Sequence, residues 1–198
     1  MKIVLATKNK GKAKEIKAIL KDFNLELLTL DDFPEIPNPV EDGKSFKENA
    51  LKKARFVVKH LNIAAMADDS GLEVDILNKR SGILSARYAG ENATDEENNR
   101  KLLKELKDIP FEKRRASYKC VIALVFPSER EATVEGDCRG LISLEAKGSG
   151  GFGYDPLFYV PEYGKTMAEL PPEIKNRISH RGKALAKLKN KLMTILSK

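Results

Sequence analysis

Between Lys2 and Phe23 the hydrophobic period of the chain changes, and that change constrains the fold more than any other feature. Lys2 to Thr7 (KIVLAT) is a short, nearly continuous apolar run, the pattern of a buried strand. After Asn9-Lys10-Gly11-Lys12, the residues Ala13, Ile16, Ile19, Leu20 and Phe23 recur at helical spacing, which predicts a helix over Ala13 to Asp22. A strand, a loop and a helix in that order open an α/β domain. Leu25 to Leu30 is a second apolar stretch, and a loop holding Pro34, Pro37 and Pro39 then delivers Glu41. Ser45 with Glu48 has the spacing of a capping box for a helix that runs to Leu61, with Phe46, Ala50, Ala54, Val57, Val58 and Leu61 on its apolar stripe. Ile63 to Ala67 returns as a strand and ends in Asp68-Asp69-Ser70-Gly71.

Thr94-x-x-Glu97 predicts another capped helix, to about Lys107, stopped by Pro110. Ser117 to Phe126 and Glu131 to Leu141 read as two strands of one hairpin. A turn centred on Glu129 would face Phe126 with Ala132, Leu124 with Val134, Ile122 with Gly136 and Cys120 with Cys138. A glycine-rich loop over Gly148 to Pro156, a short strand and a capping box at Thr166 and Glu169 lead to a basic C-terminal helix. With no internal repeat and no flexible linker, the reading is an α/β domain with a mixed sheet, residues 1–198 forming a single domain.

Composition narrows the function classes. No apolar run approaches the roughly 18 residues of a membrane span, and Met1 to Thr7 is too short for a secretory apolar region, so a soluble cytoplasmic protein is expected. Cys120 and Cys138 are too few for a disulfide scaffold and lack zinc-site spacing; with only His60 and His180 beside them, free thiols are expected. The formal charge of +7 invites a nucleic-acid reading. However, Glu173 to Lys198 holds eight basic residues against Glu173 alone, so this segment carries the whole excess and the rest of the chain is balanced. A basic terminal helix is read first as a solvated face, then as a local anion site, and last as a duplex binder.

Four segments hold chemistry. Thr7, Lys8, Asn9, Lys10, Gly11 and Lys12 sit at a strand-to-helix junction, where unpaired amides and side-chain donors suit a polyphosphate. The Walker spacing and the GxGxxG fingerprint are both absent, and an ordinary charged helix start has the same look. Glu41 with one of Asp68 and Asp69 has the composition of a magnesium site completed by phosphates, and equally of a capped turn. Adjacent strand residues point to opposite faces, so only one of the two aspartates meets a given ligand. Phe152 and Tyr154 in the glycine-rich loop are stacking candidates, or fall back into a core. Lys175, His180 and Arg181 form a donor cluster at the start of the last helix, opened by Ser179.

These stretches occur in a single order: Thr7-x-Asn9-x-x-Lys12; Glu41-x-Gly43-x-Ser45-Phe46-x-Glu48-Asn49-Ala50-x-x-Lys53-Ala54; Ala67-Asp68-Asp69-Ser70-Gly71-Leu72; Ser85-Ala86-Arg87-Tyr88; Gly151-Phe152-Gly153-Tyr154-Asp155-Pro156; and Ile178-Ser179-His180-Arg181-Gly182. In that order the chain resembles the inosine triphosphate pyrophosphatase (Ham1-like) family over nearly its whole length. The resemblance implies a curved mixed sheet flanked by helices, dividing two lobes with an active-site cleft between them. It implies a hydrolase of nucleotide metabolism that converts deaminated purine nucleoside triphosphates (ITP, dITP, XTP) to monophosphate and pyrophosphate with Mg²⁺, cleansing the nucleotide pool, usually as a homodimer, without nucleic-acid or membrane partners. Carried over by position, it puts Thr7 to Lys12 and Lys53 on the triphosphate, Glu41 and Asp69 on the metal, Asp69 as catalytic base and Ser70 beside the phosphates. Phe152 would stack on the base, Gly153, Tyr154 and Asp155 would shape its pocket, and Lys175, His180 and Arg181 would face its edge. Ser45 stands where threonine is common in the family, and Tyr154 where some relatives have tryptophan.

Overall fold

The computed structural model of the chain describes residues 1–37, 39–78 and 82–196. Lys198, counted above in the basic segment, lies outside them. Strands are β1 (Lys2–Leu5), β2 (Glu26–Thr29), β3 (Ala65–Val74), β4 (Arg115–Val125), β5 (Glu131–Ile142), β6 (Phe158–Val160) and β7 (Lys165–Thr166). Helices are α1 (Lys10–Ile19), α2 (Phe46–Leu61), α3 (Asp95–Glu105), α4 (Pro172–Ile178) and α5 (His180–Leu196). The strands form one open mixed sheet in the order β2-β1-β3-β4-β5-β6-β7. β1 is parallel to both β2 and β3, whereas β6 is antiparallel to both of its neighbours.

The chain divides into two compact units. The first takes Met1–Asp69, Cys120–Gly136 and the segment from Arg181; the second takes Ser70–Lys119 and Asp137–His180. In the first unit, alternation along β1 serves two apolar layers. Ile3 and Leu5 pack with Ile16 and Leu20 of α1 and with Leu185, Leu188 and Leu192 of α5. Val4 and Ala6 pack with Ala50, Ala54 and Val57 of α2. β3 continues the alternation, Met66 belonging to the α1/α5 layer and Ala65 and Ala67 to the α2 layer. Asp68 therefore lies on the face of α1 and α5, and Asp69 on the face of α2. The second unit has its own core, in which Leu102 and Leu106 of α3 meet Leu72, Tyr118, Ile142, Tyr154 and Phe158.

Local capping explains the helix starts. Ser45 Oγ accepts from Glu48 N at 3.1 Å, while the Glu48 carboxylate reaches back one residue further, to Lys44 N at 3.0 Å. Thr94 and Glu97 form the reciprocal box at the head of α3. The box at Thr166 and Glu169 is present but caps a 3₁₀ turn, Met167–Glu169, rather than the terminal helix. Between α4 and α5, Ser179 is extended, so the last helix opens at His180.

Three expectations are corrected. α1 begins at Lys10, earlier than the apolar period shows, because Asn9 caps it by accepting from Lys12 N at 3.0 Å. β3 runs on through Asp68-Asp69-Ser70-Gly71 instead of ending before them. At Gly71 a Cβ would stand 2.1 Å from the Gly82 carbonyl oxygen, so glycine admits that close approach and the strand continues. In the hairpin, Phe126 N bonds Arg130 O and Ile142 N bonds Arg114 O, which centres the turn on Ser128 and shifts the register by two residues. Cys120 then faces Gly136, and Tyr118 faces Cys138. The cause is a three-residue loop in which Glu129 takes the left-handed conformation at φ 60, with Glu129 N donating to Phe126 O. Both cysteines are buried free thiols.

Candidate active site

In the first unit the central feature is one ammonium and its three acceptors. Lys53 projects from α2 and donates to Asp69 Oδ1 at 2.8 Å, to the Asp68 carbonyl at 2.9 Å and to Glu41 Oε1 at 3.1 Å. The side chains of Lys53 and Asp69 are nearly buried, while Glu41 is far more open. Burial pushes the Asp69 carboxyl above its ordinary range, with Lys53 and Lys12 opposing it. Burial alone would lower the Lys53 ammonium, yet Asp69 and Glu41 outweigh it and hold Lys53 above its ordinary value. Asp69 Oδ2 accepts no hydrogen bond among the described residues.

The loop that carries Glu41 is tied down by a residue the sequence reading passed over. Asn49, buried on α2, accepts from Gly43 N at 2.7 Å, and a Cβ at Gly43 would strike that same amide oxygen.

On the other face of β3, Asp68 is fully enclosed. Lys12 stands 2.7 Å from Oδ1, Arg181 donates through Nε at 2.9 Å to Oδ2, and Cys120 Sγ donates to Oδ2 at 3.1 Å. Burial would raise this carboxyl, but Arg181 and Lys12 overcome it and hold it well below the usual carboxylate range. Arg181 also donates to Glu15 at 2.6 Å, so its guanidinium is bound by two carboxylates. Arg181 is thus engaged by carboxylates of the first unit, whereas Lys175 belongs to the second. Neither Glu15 nor the pairing of Arg181 with Asp68 was visible in the sequence, since 113 residues separate the pair.

The phosphate candidates sit at the head of α1. Thr7 Oγ1 accepts from Asn9 N, and the Asn9 cap takes the Lys12 amide, leaving the earlier first-turn amides for a ligand or water. Lys8 and Lys10 are exposed, and Gly11 and Lys12 are half-buried.

In the second unit Ser70 follows Asp69 along β3 and is half-buried. Asp155 organises the glycine-rich loop: Oδ2 accepts from Phe152 N at 2.9 Å and from the Lys175 ammonium, and Oδ1 accepts from Tyr118 Oη at 3.4 Å. Lys175 Nζ lies 4.9 Å from the centre of the Phe152 ring and covers one of its faces. At Gly151 the backbone is left-handed at φ +77, and a Cβ would fall 2.0 Å from Asp155 Oδ2. Of the two aromatics, Tyr154 falls back into the core and donates to the Ser85 carbonyl at 2.7 Å, burial pushing its phenol up. Phe152 stays half-buried. His180 is buried and stacks on Tyr118 at 4.5 Å between ring centres. α3 grips the loop from its side, with Asp95 accepting from Gly153 N and Asn99 donating to Gly153 O. Those two, one helical turn apart on a capped helix, also escaped the sequence reading.

Among the described residues no group of three His, Cys, Asp or Glu side chains could hold a metal ion. The donor set that does converge is Glu41 and Asp69, both within about 3 Å of one cationic atom, Lys53 Nζ. A pair of carboxylates suits Mg²⁺, which keeps waters and takes the remaining oxygens from substrate phosphates.

Comparisons with known proteins agree with this arrangement of motifs. A chain from Geobacter sulfurreducens named dITP/XTP pyrophosphatase is 54% identical over 191 residues, covering 96% of either chain. The solved structure of a HAM1 protein from Coxiella burnetii matches with a TM-score of 0.88 at 42% identity, over 98% of this chain and 99% of that one. The Staphylococcus aureus Ham1 protein matches with a TM-score of 0.86 at 42% identity, with the same coverage. The sequence profile of the Ham1 family matches residues 3–191. With those motifs on these strands and helices, and that profile matched almost from end to end, the chain belongs to the Ham1 family.

Proposed function

We propose that the protein is a nucleoside triphosphate pyrophosphatase that hydrolyses deaminated purine nucleoside triphosphates, ITP, dITP and XTP, to monophosphate and pyrophosphate with Mg²⁺. The observation that carries the reading is the Lys53 ammonium shared by Glu41 and Asp69. It sets two carboxylates and a buried cation in one place, as phosphoanhydride hydrolysis requires. The name of the Geobacter relative supports the same reading.

In this reading the first-turn amides of α1, with Thr7, Lys8, Asn9, Lys10 and Gly11, bind the polyphosphate, and Lys12, Lys53 and Ser70 meet it further along. Glu41 and Asp69 would hold Mg²⁺, which supplies charge neutralisation on the phosphates. Asp69 takes the proton of the attacking water at Oδ2, the oxygen that Lys53 leaves open. A carboxyl raised by burial is a better base near neutral pH than an ordinary aspartate. Lys53 keeps the carboxylate oriented and meets the negative charge that builds on the departing pyrophosphate.

The base is read by Phe152 stacking and by donors toward a keto oxygen at purine C6. Lys175 and His180 are the donors in the second unit, held by Asp155 and Tyr118. An adenine amino group there would leave a donor unpaired, at about 1 to 3 kcal/mol. Arg181 pairs with Asp68 and Glu15 in this structure, and its reach to the base edge requires release from both. Cytoplasmic pool cleansing by a homodimer completes the proposal.

A nucleic-acid module is the weaker reading, because the basic segment is largely occupied. Lys175 and Arg181 are paired with carboxylates, and Lys187 and Lys191 donate to the carbonyls of Glu135 and Thr133. The test is pyrophosphate release from ITP, XTP, GTP and ATP with and without Mg²⁺. Mg²⁺-dependent release from ITP and XTP supports the proposal. Salt-sensitive binding of oligonucleotide without turnover overturns it.

A further inference from the structure

α3 holds one residue of the base-reading loop through both of its backbone groups, the N–H of the Phe152–Gly153 peptide and the carbonyl of the Gly153–Tyr154 peptide. Asp95 Oδ2 accepts from Gly153 N at 2.6 Å, and Asn99 Nδ2, one turn on, donates to Gly153 O at 3.0 Å. Gly153 is left-handed at φ +63, and a Cβ there would meet nothing within 4 Å. Packing therefore leaves Gly153 room, and these two hydrogen bonds set the orientation of the peptides on either side of its Cα. It lies directly between Phe152, whose own amide is bound by Asp155, and Tyr154, which is anchored in the core.

The amide of Asn99 shows what this arrangement displaces. A carbonyl can only accept, so the contact with Gly153 O fixes Nδ2 on that side and turns Oδ1 away. Oδ1 is buried and has no hydrogen-bond partner among the described residues. A buried amide oxygen left unbonded opposes folding, and a plain apolar side chain at this position would remove it. Stability alone therefore does not call for asparagine here, whereas holding Gly153 does.

We propose that Asp95 and Asn99 are positioning residues for base recognition, fixing the backbone on both sides of Gly153 so that Phe152 and Asp155 are presented to a 6-keto purine. The proposal rests on the reading that Phe152 to Asp155 meet the base. It separates base recognition from phosphate chemistry, because Asp95, Asn99 and Gly153 belong to the second unit and Lys53, Glu41 and Asp69 to the first.

The experiment uses the full chain as wild type, Asn99→Leu and Asp95→Ala. It measures steady-state kinetics with ITP and ATP, inhibition by inorganic tripolyphosphate, which has no base, and melting temperature. For Asn99→Leu the expected result is a melting temperature at or above wild type, a KM for ITP raised about tenfold, a narrower ITP-to-ATP preference, and tripolyphosphate inhibition unchanged within about twofold. Asp95→Ala should show the same kinetic split with a lower melting temperature, since it also removes an acidic residue from the first turn of α3. An unchanged KM and preference in Asn99→Leu overturns the proposal. So does a loss of tripolyphosphate inhibition in step with ITP, or a failure of Asn99→Leu to fold, either of which marks a structural role. If wild type releases pyrophosphate from ITP while the variants match it, positioning alone is refuted; if wild type has no such activity, both readings fall.

Discussion

Replacing Asp68 by asparagine should unfold the protein more readily while leaving Asp69, the proposed catalytic carboxylate, in place, and the size of the effect follows from what surrounds the side chain. Its two oxygens receive Lys12, Arg181 and Cys120, and neither the Asp68 carboxylate nor the Arg181 guanidinium has appreciable exposure. Asparagine keeps one acceptor and presents an NH₂ group to a neighbourhood of donors. Removing one partner of a buried ion pair costs about 3–5 kcal/mol. Glu15 remains to neutralise part of the Arg181 charge at 2.6 Å, which favours the lower end, about 3 kcal/mol. For a chain of this size each kcal/mol moves the melting temperature by about 2–4 °C, so Asp68→Asn should melt roughly 6–12 °C below wild type.

Asp69→Asn is the control. Lys53 loses one of three acceptors and keeps Glu41 and the Asp68 carbonyl, so the fall should be about 2–4 °C, near 1 kcal/mol. Circular dichroism melts of both variants decide the matter. An Asp68→Asn melt within 2 °C of wild type, or an Asp69→Asn melt lower than that of Asp68→Asn, would show that the enclosed network does not hold the first unit together.

Asp69→Asn should lower kcat on the order of 10³-fold while nucleotide still binds, because charge and proton acceptor are lost but the phosphate and base contacts remain; retention of more than about a tenth of wild-type kcat refutes the role. Gly151→Ala should raise KM for ITP more than about tenfold, since the new Cβ would displace the Asp155 carboxylate and strain a left-handed backbone; unchanged kinetics would mean that the loop relaxes freely. Glu97 has its pKa held below 4.5 by the Thr94 backbone amide and then the Thr94 hydroxyl, so its contribution is present above pH 4.5 and lost as pH falls through the lowered value. Glu97→Ala should therefore melt below wild type at pH 7, with the gap closing in acid; a gap that is constant with pH contradicts the cap.

The parts of this fold that were legible are those decided within a few residues of chain. Ser45 and Thr94 cap their helices through neighbours three residues on, and the alternation in β1 sorts Ile3 and Leu5 from Val4 and Ala6 without outside help. The hairpin register was missed because it depends on one backbone dihedral, at Glu129, a residue type with little preference for a left-handed turn. The Asp-Asp-Ser-Gly stretch has turn composition, but sheet pairing of β3 and the approach of Gly82 and Ser85 hold it extended. In the candidate site the residue types were legible from their grouping along the chain, but their partners were not. Lys175, His180 and Arg181 lie close in sequence, yet Arg181 turns to Asp68 while Lys175 turns to Asp155, a sorting set by burial and by the nearest carboxylate.

The most direct test of the central claim is the product stoichiometry of ITP hydrolysis with Mg²⁺, followed by separate assays for pyrophosphate and orthophosphate and repeated with ATP. Attack at the α-phosphorus near Asp69 predicts one pyrophosphate and one monophosphate per ITP consumed, no orthophosphate, and at least tenfold slower turnover of ATP. Orthophosphate as the first product, or equal rates on ITP and ATP, would contradict it.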